Sequence, residues 1–158
     1  MAIPMYGQNN DGNALNSVAL SRGYLKITAG VTLTGVEGGI IHIADSDACA
    51  IVLPTITAAL DGLEYKFIMA NDAGGSITIT ATDQVGDFYQ GTLAVHSVDA
   101  DDGFAANGSS NNVITMNAGT TGGLLGSEVN LRAAFKLGWI AWGNVFGTNA
   151  VGATPFSG

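Results

Sequence analysis

The sequence is short of charge, and of positive charge above all. Five Lys and Arg stand against thirteen Asp and Glu in 158 residues, a formal net charge of −8. A chain that binds nucleic acid releases counterions through clustered Lys and Arg, and five scattered cations exclude that partner. Charged residues make up 11%, against a usual share of about 25%, which also argues against a helical bundle, because surface helices need long charged side chains on their wet face. Cysteine occurs once, at Cys49, so no intrachain disulfide is possible. That thiol lies in the apolar run Ala48 to Leu53, as buried rather than reactive cysteines do. No stretch reaches the roughly 18 apolar residues of a membrane span. The start, MAIPMYGQNN, has neither the basic nor the apolar region of a signal peptide, and the expected product is a soluble protein made in the cytoplasm.

What is abundant is apolar and small. Hydrophobic residues reach 47% and there are 23 glycines, a composition opposite to that of disordered chains and enough for a real core at this length. The chain divides into three parts: an extended N-terminal arm over 1–22, a β domain over 23–146 and an apolar C-terminal tail over 147–158. From Tyr24 onward, short alternating runs recur between turn residues, about ten strands in all, the cadence of a single antiparallel β-sandwich or β-barrel. Glu64 to Ala70 and Ser76 to Thr82, joined by Asn71 to Gly75, read as a hairpin. Val31 to Thr34 is turned by Glu37-Gly38-Gly39 into Ile40 to Ala44, a second hairpin that Asp45-Ser46-Asp47 closes before Ala48 to Leu53 follows. Thr55 to Leu60 suits one helical turn. Asp99 to Asn112 reads as a long polar loop, and Gly119 to Ser127 as a flexible connection. From Leu137 to the end there is no charged residue, so this stretch must pack either on its own domain or on another subunit.

A search for chemistry finds little. His42 and His96 lie in strands and read as surface or hydrogen-bonded histidines, with no partner at metal-ligand spacing. No catalytic nucleophile motif, zinc motif or phosphate cradle is present, and no cofactor or metal is expected. The cluster Asp99-Ala100-Asp101-Asp102-Gly103 has closely spaced carboxylates, yet an EF-hand needs glycine sixth and glutamate twelfth, where this loop has Gly103 fifth and Ser110 twelfth. A nonstandard calcium loop stays open beside a solvated acidic one. Asp83 and Asp87 read as turn residues rather than a catalytic pair.

The opening Ala2 to Asn10, followed by Asp11-Gly12-Asn13, resembles the N-terminal arm of small virion proteins of tailed bacteriophages of the marine and cyanophage kind. Ile51 to Pro54, Gly62 to Phe67, Ile77 to Thr80 and Gly126 to Leu131 leading to Trp139 are similar to a pattern in phage capsid decoration (cement) proteins. The resemblance implies a non-enzymatic virion structural protein on the capsid surface, with the major capsid protein as partner, no membrane contact, and a homo-oligomer, a trimer, as its state. It places the contacts to capsid or sister subunit in the arm, at Ile3, Pro4, Met5 and Tyr6, with Gln8 and Asn9 bonding to backbone. The alternative is a phage fibre or spike component that contacts host glycan, with Phe88, Tyr89 or Phe104 as sugar-stacking candidates.

Overall fold

Runs of four to nine residues that alternate inward apolar with outward polar side chains form strands that bury one face, and two such sheets close on each other. The computed structural model describes residues 23–82, 88–98, 101–148 and 153–158. Among them, twelve strands are β1 (Tyr24–Ile27), β2 (Val31–Thr32), β3 (Ile41–Ala44), β4 (Cys49–Val52), β5 (Glu64–Met69), β6 (Ile77–Thr80), β7 (Tyr89–His96), β8 (Asp101–Ala105), β9 (Val113–Met116), β10 (Glu128–Ala134), β11 (Gly138–Phe146) and β12 (Phe156–Ser157). One sheet has the order β1-β3-β5-β10-β11-β7-β8 and the other β12-β9-β6-β4-β2. The protein is therefore an all-β sandwich, as expected. The predicted helical turn is present as a single 3-10 turn at Ala58–Leu60.

The pairing departs from the antiparallel expectation. From β1 to β6 the chain alternates between the sheets, so β1, β3 and β5 stack parallel in the large sheet and β2, β4 and β6 stack parallel in the small one. Residues 24–80 thus make three rungs of a two-sheet coil. Neither expected hairpin exists. β5 pairs with β3 and β10, β6 with β4 and β9, and β2 and β3 lie in opposite sheets. The reason lies in the corner: Asn71 to Gly75 is held to the rung before it and to the 117–125 turn, where the Leu125 N–H donates to Asp72 Oδ1 at 2.7 Å and the Ala73 N–H to the Gly123 carbonyl at 2.9 Å. The Asn71 side-chain amide donates to Asp47 Oδ1 at 3.0 Å, and the Gly75 N–H donates to the Asp47 carbonyl at 3.0 Å. A Cβ on Gly75 would stand 2.8 Å from the Ala48 Cβ; the two corners stack too closely for any side chain there.

Antiparallel pairing governs the second half. β10 and β11 form a hairpin from Glu128↔Asn144 to Ala134↔Gly138, and β7 pairs antiparallel with β8. Asp101 to Ala105, expected in a loop, is thus the edge strand of the large sheet. β7 and β11 run parallel and approach closely at two glycines. A Cβ on Gly91 (φ 101°) would meet the Ala141 carbonyl oxygen at 2.1 Å, and one on Gly138 (φ 107°) the Phe88 carbonyl oxygen at 2.1 Å. The glycine-rich stretch 119–127 is a packed turn and not a loose one: Thr121, Gly122 and Gly123 are buried, and the Gly123 and Leu124 N–H groups both donate to the Phe146 carbonyl.

The core lies between the sheets. Ile27, Phe67, Met69, Leu93, Val95, Val129, Leu131 and Trp139 of the large sheet meet Ile51, Ile77, Ile79, Ile114 and Met116 of the small one. Each such side chain stabilises the fold by about 1.5–3 kcal/mol through burial. Of the charge-free C-terminal stretch, β11 is an inner strand of the large sheet and Phe156 on β12 is 3% exposed, whereas Leu137, Ile140, Trp142 and Phe146 are exposed. Cys49 is buried, and burial pushes its thiol pKa up.

Candidate binding face

Strand alternation decides which side chains leave the core. On β10, Val129, Leu131 and Ala133 point inward, which turns Glu128, Asn130 and Arg132 outward. On β11, Trp139, Ala141 and Val145 are buried while Ile140, Trp142 and Phe146 are exposed. Register then carries these into rows across the large sheet. One row runs Ile41, Lys66, Asn130, Trp142, Thr92, and its neighbour runs Glu64, Arg132, Ile140, Gln90. The first row crosses five strands and the second four, from distant parts of the chain.

Ile41, Lys66, Asn130 and Trp142 of the first row and Glu64 of the second line a shallow cleft of about 450 Å³, with Gly39 beside them. Its charges are paired. Lys66 Nζ lies 2.7 Å from Glu128 Oε2, Asn130 Nδ2 donates to Glu128 Oε1 at 2.8 Å, and Arg132 Nε donates to Glu64 Oε1 at 2.8 Å. The hydrogen bonds from Lys66 and then Asn130 hold the Glu128 carboxyl below its usual range, against the desolvation that opposes them. These side chains are one third to one half exposed, so each pair contributes at most about 1 kcal/mol to stability and serves chiefly to fix geometry. Glu64, which lines the cleft, and Glu128 beside it each face a cation. Groups held in this way keep free lone pairs and N–H groups that can hydrogen-bond to hydroxyls.

Farther along the same face, His96 stacks on Phe146 with ring centroids 5.5 Å apart. Its Nε2 lies 3.0 Å from Asn144 Oδ1 and its Nδ1 2.9 Å from Asp101 Oδ1; these two bonds, Asn144 foremost, raise its pKa. His96 is thus the hydrogen-bonded strand histidine anticipated. Asp101 and Asp102 are neighbours on β8 and so point to opposite faces, which prevents them from wrapping one cation. Among the described residues no group of three or more His, Cys, Asp or Glu converges to hold a metal. Asp83, Asp87, Asp99 and Ala100 lie outside the described residues.

Beneath the cleft, the inner face holds an unusual cluster. His42 is fully buried, contrary to the surface or hydrogen-bonded role expected of it, because the inward positions of β3 fall at His42 and Ala44. Its ring lies 5.2 Å from Tyr65 and 5.1 Å from Phe67, and Tyr65 lies 5.7 Å from Trp139. Both His42 ring nitrogens, Tyr65 Oη and Trp139 Nε1 are buried without a hydrogen-bond partner among the described residues. Burial lowers the His42 pKa, although the Ile40 and Lys66 backbone lies close enough to favour its proton. Burial likewise pushes Tyr65 up to about 12.

The sugar-stacking candidates are displaced by the structure. Tyr89 is fully buried, its hydroxyl donating across the sandwich to the Ile79 carbonyl at 3.0 Å. Phe104 is half-buried and packs on the core; Phe88 is half-buried at the start of β7. Trp142, by contrast, is 42% exposed. A signal for it was present, because residues three apart on a strand face opposite sides, and a buried Trp139 turns Trp142 outward. The arm contacts Ile3, Pro4, Met5, Tyr6, Gln8 and Asn9 lie outside the described residues. No family model matches this chain, and no curated protein or solved structure is similar to it.

Proposed function

We propose that this protein is a non-enzymatic structural subunit of a tailed-phage virion, a decoration protein that binds the outside of the capsid lattice through the major capsid protein. Copies associate as a trimer and stabilise the head. The observation that carries this reading is the end of the sandwich next to residue 23. There β1 and β2 are the outermost strands of their sheets, and among the described residues nothing pairs with their outer backbone groups. Unpaired strand edges take up an extended segment of another chain. The opposite edge of the large sheet, β8, carries Asp101 and Asp102, the charged type of edge that discourages such pairing.

Three parallel rungs and a packed core give the stiff body that a clamp requires. Repeated contacts over a symmetric lattice allow each to be modest, and binding only to the assembled lattice stabilises it by mass action. The test is a sedimentation assay of the full chain and of a deletion of residues 1–12 against empty heads built from the phage's own major capsid protein. Full-length protein is expected to sediment with heads, and the deletion to stay folded and unbound. Failure of the full chain to bind heads overturns the reading, and full binding by the deletion removes the arm's part in it.

A further inference from the structure

We propose that the cleft beside Trp142 is a binding site for a neutral pyranose, with the indole carrying the sugar ring and the polar row beside it taking the hydroxyls. The inference does not depend on where in a virion, or whether in one, the protein resides. A pyranose has an apolar face of C–H groups and a rim of hydroxyls, and the cleft has the matching halves. Trp142, exposed on the inner strand β11, supplies a flat apolar plate. Asn130 and Lys66 follow it in the same row, with Glu64 and Arg132 in the next.

Charge decides the ligand class. One cation, Lys66, and one carboxylate, Glu64, line the cleft, and each is already paired, Lys66 with Glu128 and Glu64 with Arg132. A phosphate, sulfate or carboxylate ligand would have to displace a carboxylate from its cation, and a cationic ligand the reverse. A wholly apolar ligand would strip water from Lys66 and Glu64 and return nothing. A ligand that is both donor and acceptor at many points and has no net charge fits all of them. The volume of about 450 Å³ lies in the range of small-ligand sites, roughly 300–1,000 Å³. Every polar group named sits on a strand rather than a loop, so little order has to be gained on binding.

The test uses the intact chain titrated with methyl glycosides and short oligomers of glucose, galactose, mannose and N-acetylglucosamine. Saturation-transfer NMR and tryptophan fluorescence read binding, and near-ultraviolet circular dichroism verifies the fold of each variant. At least one neutral sugar is expected to bind. Trp142→Ala should weaken that binding by about tenfold or more, with Trp142→Phe retaining part of it. Asn130→Ala should weaken it while leaving the fold unchanged. Raising salt from about 0.05 to 0.5 M should leave the affinity unaltered, because no net charge is matched. Absence of binding to all four series at about 10 mM overturns the proposal. So does undiminished binding by folded Trp142→Ala, or a preference for sialylated or sulfated glycans that salt abolishes. None of these outcomes bears on attachment to capsids.

Discussion

Removing one oxygen atom from each of two buried tyrosines should move stability in opposite directions. Tyr65 and Tyr89 are both buried on the inner face of the large sheet, at 1% and 0% exposure. Burial raises both phenol pKa values, so both are neutral near pH 7. The hydroxyls differ in one respect: that of Tyr89 donates to the Ile79 carbonyl at 3.0 Å, and that of Tyr65 makes no hydrogen bond among the described residues, the Gly35 backbone lying near enough only to temper its raised pKa. Tyr89→Phe loses a hydrogen bond worth about 0.5–1.5 kcal/mol and takes a partner from a buried carbonyl, for a total cost of about 1–3 kcal/mol. Tyr65→Phe removes a polar group that was desolvated without return, and should stabilise by about 1 kcal/mol after the loss of oxygen's own packing contacts. At this chain length 1 kcal/mol moves the midpoint by about 2–4 °C. Urea and thermal unfolding of the wild type and both variants therefore should give midpoints in the order Tyr65→Phe, wild type, Tyr89→Phe. Destabilisation of Tyr65→Phe by as much as Tyr89→Phe refutes the reasoning and means that the Tyr65 hydroxyl is satisfied, for example by an enclosed water.

Two further expectations concern backbone and pH. Gly91→Ala forces a Cβ to within 2.1 Å of the Ala141 carbonyl oxygen at φ 101°, so it should cost about 2 kcal/mol or more in urea unfolding, with Thr92→Ala beside it nearly silent. His42 has its folded pKa lowered from 6.5, so near and below that value the unfolded chain binds the extra proton. Its contribution is complete above pH 6.5 and is lost as pH falls toward the depressed folded value, at no more than about 1.4 kcal/mol per pH unit. His96, raised by Asn144 and Asp101, acts in the opposite sense but stands in solvent and counts for little. Stability measured from pH 8 to 5 should therefore fall on acidification, and fall less steeply in His42→Phe; an unchanged slope in that variant contradicts the burial argument.

Strand positions were largely legible because alternation is a local property. Ile77 to Thr80 and Glu128 to Ala134 show it plainly, and each is a strand with its apolar residues inside. Partners were not legible. Asn71 to Gly75 has the residues of a hairpin turn, and the same residues also make a corner that carries the chain into the opposite sheet; Asp47 and Ala48 a rung earlier, with Asn117 and Leu125 far along the chain, hold it in the second arrangement. Asp101 to Ala105 looked like a loop because its acidic, glycine-containing pattern is that of an edge strand, which has no buried face to announce it. The binding face was hidden for a related reason. Lys66, Asn130 and Trp142 are scattered over three strands, and no spacing in the sequence brings them together.

The sequence by itself determined what kind of molecule this is: too few charges for helices or nucleic acid, one unpaired cysteine, and enough alternating apolar residues to bury a core between sheets. These properties depend on composition and on a period of two, which each short segment carries within itself. Tertiary structure alone decided that the first six strands coil in parallel rungs, that Trp139 and Phe156 of the uncharged C-terminal stretch are buried in their own domain, and that His42 faces the core. It also decided that Trp142 meets Lys66 and Asn130 across the sheet. Register between strands distant in the chain is set by the simultaneous fit of all the corners and side chains, and no single segment contains that information.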